Sequence, residues 1–214
     1  AKYVTIPTAR GDVTFTQTPT KLAVFEAAAI DTLAHLGVPV AGSPDVARTL
    51  PYLKPATEKA VNIGTVFEPN YEALNSLKPD LIIVGSRAAK KVDELKEIAT
   101  TIDVTTPKEV NTLQGGLNNI ENYGKLFNKE AEAAKLKAEL ETLIAETKEA
   151  VKGKGNGLIV LVNGGKMSAF GPVGRLGWVH SALNIPEAKF EVNTKGANHG
   201  TPISFEYLQK VNPD

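Results

Sequence analysis

The sequence predicts an α/β protein of two lobes joined by one long helix. Three observations carry this expectation. Strand and helix signals alternate with short connections through the first half of the chain, the pattern of a parallel sheet covered by helices. From Leu113 to Val151 there is helix-forming sequence and no strand signal. An apolar strand then reappears at Gly157–Val162, so the α/β pattern resumes. These signals set the boundaries at 1–127 for an N-terminal Rossmann-like lobe, 128–152 for the interdomain helix and 153–214 for a second Rossmann-like lobe.

Taken in order, Lys2–Gln17 alternates apolar and polar residues around Arg10-Gly11-Asp12, which predicts a hairpin with Gly-Asp in its turn. Lys21–Phe25 is a short apolar run of the buried-strand type. It leads into Glu26–Leu36, where Ile30, Leu33 and Leu36 have helical spacing and Gly37 supplies the stop. Tyr71–Leu77 is helical, Lys78-Pro79-Asp80 is a turn, and Leu81–Val84 is a strand buried on both faces that ends in Gly85-Ser86-Arg87. A helix around Val92–Ile98 and a strand at Ile102–Thr105 follow.

In the long helix, Ala133, Leu136, Leu140, Leu143, Ile144, Thr147 and Val151 trace one apolar face, which predicts a stiff strut of about 30 Å. Gly157–Val162 is expected to be a buried strand with Lys166–Phe170 beside it. Trp178–Leu183 and Ser204–Lys210 are expected helices. The final Val211-Asn212-Pro213-Asp214 repeats Leu77-Lys78-Pro79-Asp80, which is followed by a strand in the first half. The C-terminal lobe therefore reads as incomplete.

Composition excludes several function classes. The 24 basic and 24 acidic residues balance, so nothing in the charge predicts a nucleic-acid partner or an anionic membrane. Any anion site has to be built locally. Cysteine is absent, which removes disulfides, thiolate metal sites and cysteine nucleophiles. No apolar run is long enough for a transmembrane helix. No nucleophile elbow, phosphate-binding loop or zinc-protease helix motif appears, so the chain is not expected to be an enzyme.

The candidate binding residues are placed by their surroundings. Arg87 follows a buried strand and a Gly-Ser turn, and the carboxyl edge of a parallel sheet is where open α/β folds bind ligands. Its planar, permanently charged fork suits carboxylate, phosphate or catecholate oxygens. Arg175 lies in Gly171-Pro172-Val173-Gly174-Arg175-Leu176-Gly177, where glycines let a ligand approach the backbone. A solvated surface arginine is the bland alternative in both cases. His199, in a polar loop before Ser204, is a candidate ligand or metal contact. His35 and His180 fall within helices and are expected to be structural. Glu72 and Glu206 open two equivalent helices, one per lobe. They gain a little from the helix dipole and also suit a two-point dock on a partner.

The runs Phe25–Leu33, Gly64–Glu72 and Leu77–Ile83 resemble the periplasmic iron–siderophore-binding proteins of ABC importers, in particular the catecholate branch of enterobactin and petrobactin-like binders. The resemblance covers essentially the whole chain. It implies the class III periplasmic-binding-protein fold, a monomer in the periplasm or a cell-surface lipoprotein with its anchor removed, and no intrinsic cofactor. It implies that Arg87 and Arg175 neutralise a triply negative ferric tris-catecholate complex, that His199 ligates iron when the siderophore leaves positions open, and that Glu72 and Glu206 meet arginines of the membrane permease. Relatives of this branch carry a third arginine and an iron-ligating tyrosine further along than Asp214.

Rival readings use the same fold or none of its chemistry. A haem, cobalamin or bare-metal binder would share the architecture, although a zinc or manganese site wants several histidines and a carboxylate at one point. A metal-cluster enzyme on a similar scaffold would need thiolates that this chain lacks. An interaction module without a small ligand would leave both arginines dispensable.

Overall fold

Short strands pairing in parallel organise the first part of the molecule. The computed structural model describes residues 3–189 and 200–214, and these divide into two compact units. The first unit comprises the described residues up to Pro107 together with Leu117–Lys137; the second comprises Lys108–Gly116 and the described residues from Ala138 to Asp214.

In the first unit, β1 (Val4–Thr8) and β2 (Gly11–Phe15) form an antiparallel hairpin with Ile6 and Phe15 buried beneath it. Its turn is Ala9-Arg10 rather than the expected Gly11-Asp12. Thr8 pairs with Gly11, and the Thr8 hydroxyl accepts the Arg10 amide at 3.1 Å while donating to the Gly11 carbonyl. The hydroxyl thus closes the loop one residue earlier.

A five-stranded parallel sheet follows. Its strands are β3 (Leu22–Val24), β4 (Gly42–Ser43), β5 (Val61–Asn62), β6 (Leu81–Val84) and β7 (Thr101–Asp103), in the order β5-β4-β3-β6-β7. The connecting helices are α1 (Ala27–His35), α2 (Asp45–Thr49), α3 (Lys54–Thr57), α4 (Tyr71–Leu77) and α5 (Val92–Leu95). Side chains alternate across a strand, so Ala23, Ile82 and Val84 share one face. There they pack with Phe25, Ile63, Leu74, Ala88, Val92 and Leu95 into a single core. Leu22, Val24, Leu81 and Ile83 turn to the other face and are equally buried. A strand sealed on both faces has no polar alternation, which is why Leu81–Val84 reads as a continuous apolar run.

Two helices follow, α6 (Thr112–Leu126) and α7 (Glu130–Val151). The second is the predicted strut, but its apolar face is not a buried stripe. Of the seven expected residues only Ala133 is buried, and Leu143 is 56% exposed. Ala133 is buried by one local contact. A Cβ on Gly124 of α6 would lie 2.6 Å from the Ala133 Cβ, so the two helices meet closely at that point, in the first unit.

The second unit contains β8 (Ile159–Asn163), β9 (Lys166–Phe170), α8 (Trp178–Leu183), β10 (Thr201–Ile203) and α9 (Phe205–Val211). Among the described residues its sheet is three-stranded and antiparallel, in the order β10-β9-β8. Expected as a buried strand, β8 has one strand neighbour among the described residues. Leu161 is 41% and Val162 is 65% exposed. The buried end of this unit is Ala169-Phe170, where β9 is paired on both sides.

Candidate ligand-binding site

All five strands of the parallel sheet point the same way, so their carboxyl ends share one edge. The chain leaves β3 toward β4 and β5 on one side, and β6 and β7 lie on the other. The β3/β6 boundary is therefore the topological switch point, the place where such sheets leave a crevice. Glu26 follows β3 there, and Gly85-Ser86-Arg87 follows β6.

Arg87 is exposed and begins the second position of a 3₁₀ turn, Ser86–Lys91. Ser86 takes a left-handed backbone with φ 54°, a strained conformation for a residue with a Cβ. What holds it is a relay of polar groups. The Ser86 amide donates to Thr105 Oγ1 at 2.9 Å, and Thr105 Oγ1 donates to Asp103 Oδ1 at 2.6 Å. Asp103 is buried, and its other oxygen receives Arg10 Nε at 3.1 Å. Arg10 Nη2 also donates to the Ala89 carbonyl at 2.9 Å, tying the hairpin turn to the same 3₁₀ segment. The Arg87 guanidinium itself sits over the Phe67 ring, 5.4 Å from its centroid.

Glu26 lies against the same strand end. A Cβ on Gly85 would come within 3.2–3.3 Å of the Glu26 side chain, so the carboxyl rests on bare backbone. Burial raises its pKa from 4.5 to about 7, and the Asp103 charge adds to the rise while the Ala29 amide offsets part of it. Beside it on α6, Tyr123 is fully buried with its hydroxyl unpaired, and burial followed by the Glu26 charge pushes that phenol well above its ordinary range.

In the second unit, Arg175 is exposed in the turn after β9, with its guanidinium 5.4 Å from the Phe170 ring centroid. The glycines there are structural requirements. Gly174 has φ 119°, and a Cβ on Gly177 would lie 2.0 Å from the Pro172 carbonyl oxygen. The Thr112 hydroxyl fixes the turn from α6 by donating to the Arg175 carbonyl at 3.0 Å.

Glu72 and Glu206 are exposed in the first turns of α4 and α9. Thus Arg87 and Glu72 belong to the first unit, Arg175 and Glu206 to the second. His199 lies outside the described residues. His180 is buried, with Nδ1 2.9 Å from the Ile185 carbonyl, and His35 pairs locally with Asp31. Both lie in helices, as expected. No cluster of three metal-ligating side chains occurs among the described residues.

Sequence reasoning missed Glu26, Phe67 and the Arg10–Asp103–Thr105 relay. Glu26 carried a usable signal, since it follows a buried strand just as Arg87 does. Arg10 carried none, because its partner lies 93 residues away.

The chain belongs to the periplasmic binding protein family, whose model matches residues 22–214. It is 37% identical over 203 residues to the petrobactin-binding protein YclQ of Bacillus subtilis (strain 168), covering 92% of this chain and 62% of that protein. It is 28% identical to the ferric-anguibactin-binding protein FatB of Vibrio anguillarum, covering 95% of this chain and 64% of FatB. Thus the chain spans a little under two thirds of the length of these curated relatives. The crystal structure of the periplasmic catecholate-siderophore binding protein VctP from Vibrio cholerae superposes with a TM-score of 0.89 at 28% identity, covering 99% of this chain and 76% of VctP. These neighbours share the class III α/β fold that the sequence predicts.

Proposed function

We propose that this protein captures a ferric siderophore of the catecholate type outside the cytoplasm and delivers it to an ABC permease. The observation that carries the reading is Arg87, a guanidinium carried at the switch-point edge of a parallel sheet by a turn whose Ser86 backbone is held by a partly buried polar relay. Relatives that bind petrobactin and ferric anguibactin support the ligand class. No described helix is long and apolar enough to cross a membrane.

The chemistry follows from charge. A trianionic ferric complex is costly to remove from water, and guanidinium groups offset that cost by charge-assisted hydrogen bonds to its oxygens. In this reading Arg87 and Arg175 each contribute one such fork, iron arrives only as cargo inside its chelate, and Glu72 and Glu206 are the contacts for the permease. Titration of the full-length protein with ferric enterobactin, followed by Trp178 fluorescence and calorimetry, tests it. Saturable binding weakened about tenfold to a hundredfold in Arg87→Ala is expected. A flat calorimetric trace with unchanged emission refutes the reading.

A further inference from the structure

Phe67 is 61% exposed, yet the loop that displays it is rigidly built. Thr65 Oγ1 accepts the amides of Phe67 at 3.2 Å and Glu68 at 2.9 Å, and the Thr65 amide donates to the Glu68 carbonyl at 3.0 Å. Gly64 bridges to Pro69, and its amide is held by Asn62 Oδ1 at 2.9 Å. Gly64 takes φ 101°, where a Cβ would lie 2.5 Å from the Asn70 nitrogen. A loop constrained at each of these points has no freedom to fold its tip inward. The backbone at the tip is held in place, and the ring stands outside the core.

A single exposed phenylalanine is ordinary on a protein surface. What separates this one is its place and its neighbour. The loop follows β5, at the same carboxyl edge that carries Glu26 and Arg87, and the Arg87 guanidinium lies over the ring. The arginine–phenylalanine pair of the second unit supplies the contrast. Phe170 is only 4% exposed, and a Cβ on Gly200 would sit 2.8 Å from its ring, so that ring belongs to the core. Phe67 keeps apolar surface to spare.

We infer that Phe67 is a ligand-contacting residue that, together with Arg87, forms a composite surface selective for an aromatic anion. The guanidinium meets the anionic oxygens, and the ring meets the aromatic carbons in an offset or edge-to-face contact. An aliphatic polycarboxylate chelate uses the guanidinium alone. The inference rests on the proposed siderophore reading and narrows it: Phe67 sets the preference between aromatic and aliphatic iron chelates.

The test compares Phe67→Ala, Phe67→Leu and Phe67→Tyr in the full-length protein by calorimetry against ferric enterobactin and ferric citrate. Because the side chain is mostly exposed, the variants are expected to keep the parent's circular dichroism and melting temperature. Phe67→Ala is expected to weaken ferric enterobactin about tenfold, Phe67→Leu to weaken it by a smaller factor, and Phe67→Tyr to hold it, with ferric citrate changed less than about twofold throughout. Unchanged enterobactin affinity in Phe67→Ala, or equal losses for both chelates, overturns the inference while leaving the siderophore reading in place. A parent protein that binds neither chelate overturns the siderophore reading itself and takes this inference with it.

Discussion

Glu26 makes the fold's stability depend on pH in a direction opposite to that of an ordinary ion-paired carboxylate. Its folded-state pKa is about 7 against an ordinary 4.5, chiefly because partial burial at the end of β3 strips water from it. Below pH 4.5 the carboxyl is protonated in both folded and unfolded chains and contributes nothing. Between the two values the folded chain holds a proton that the unfolded chain has lost, so the free energy of unfolding falls as pH rises. Above about pH 7 both forms are ionised and the full penalty stands. The gap of 2.5 between the two pKa values corresponds to on the order of 3 kcal/mol, an upper bound because water still reaches the half-buried group. Glu26→Gln removes the charge at every pH and keeps the shape against Gly85. The variant is expected to match the parent near pH 4 and to exceed it by about 2–3 kcal/mol near pH 8.5. Urea unfolding followed by circular dichroism across this range measures the difference, and carboxyl NMR of Glu26 reads the pKa directly. Parallel stability curves for the two proteins, or a midpoint near 4.5, refute the reasoning.

Two further predictions concern how the edge is built. Arg10→Ala strips Asp103 of its cation and the Ala89 carbonyl of a donor, so a loss of about 1–2 kcal/mol in unfolding free energy is expected, together with weaker ferric enterobactin binding through a loosened Ser86-Arg87 turn. Denaturant unfolding and calorimetry on the same variant check both effects. Gly64→Ala places a Cβ against the Asn70 amide in a left-handed backbone and is expected to cost about 1–3 kcal/mol. A thermal melt indistinguishable from the parent would contradict the account of the Phe67 loop.

What was legible in the sequence tracks how locally each element is specified. Tyr71–Leu77, Leu81–Val84 and Trp178–Leu183 were bounded correctly because caps, prolines and glycines punctuate them. The segment from Val38 to Asn70 offered no period to read. Its strands are only two residues long, and its helices run five and four residues, too short for an apolar face to recur. Burial was misjudged where composition stood in for neighbours: Val160–Val162 is apolar but has one strand neighbour among the described residues, and Leu143 is apolar but exposed. At the candidate site, the position of Arg87 was visible because a strand end and a charge are adjacent in sequence. The relay that fixes it joins a hairpin turn to β7 and lies beyond any local pattern.

The repeat of Lys78-Pro79-Asp80 as Asn212-Pro213-Asp214 has a physical basis. Asn70 caps α4 by accepting the Ala73 amide at 3.0 Å, and Ser204 caps α9 by accepting the Tyr207 amide at 3.1 Å. Both helices run seven residues and end on a left-handed residue, Lys78 at φ 54° and Asn212 at φ 48°. Proline then forbids continuation, and the aspartate turns back on the chain leading to the first strand of the unit's main sheet. Asp80 accepts the Thr20 and Lys21 amides at 2.9 Å just before β3, and Asp214 accepts the Asn156 amide at 2.8 Å ahead of β8. Cap, helix length, left-handed exit and aspartate latch together fix the direction of the helix within its own unit. Glu72 and Glu206 occupy the second position of these matched helices, so each carboxylate is presented by the same local construction. Within each unit, the proposed docking role of Glu72 and Glu206 therefore rests on a matched backbone frame and not on charge alone.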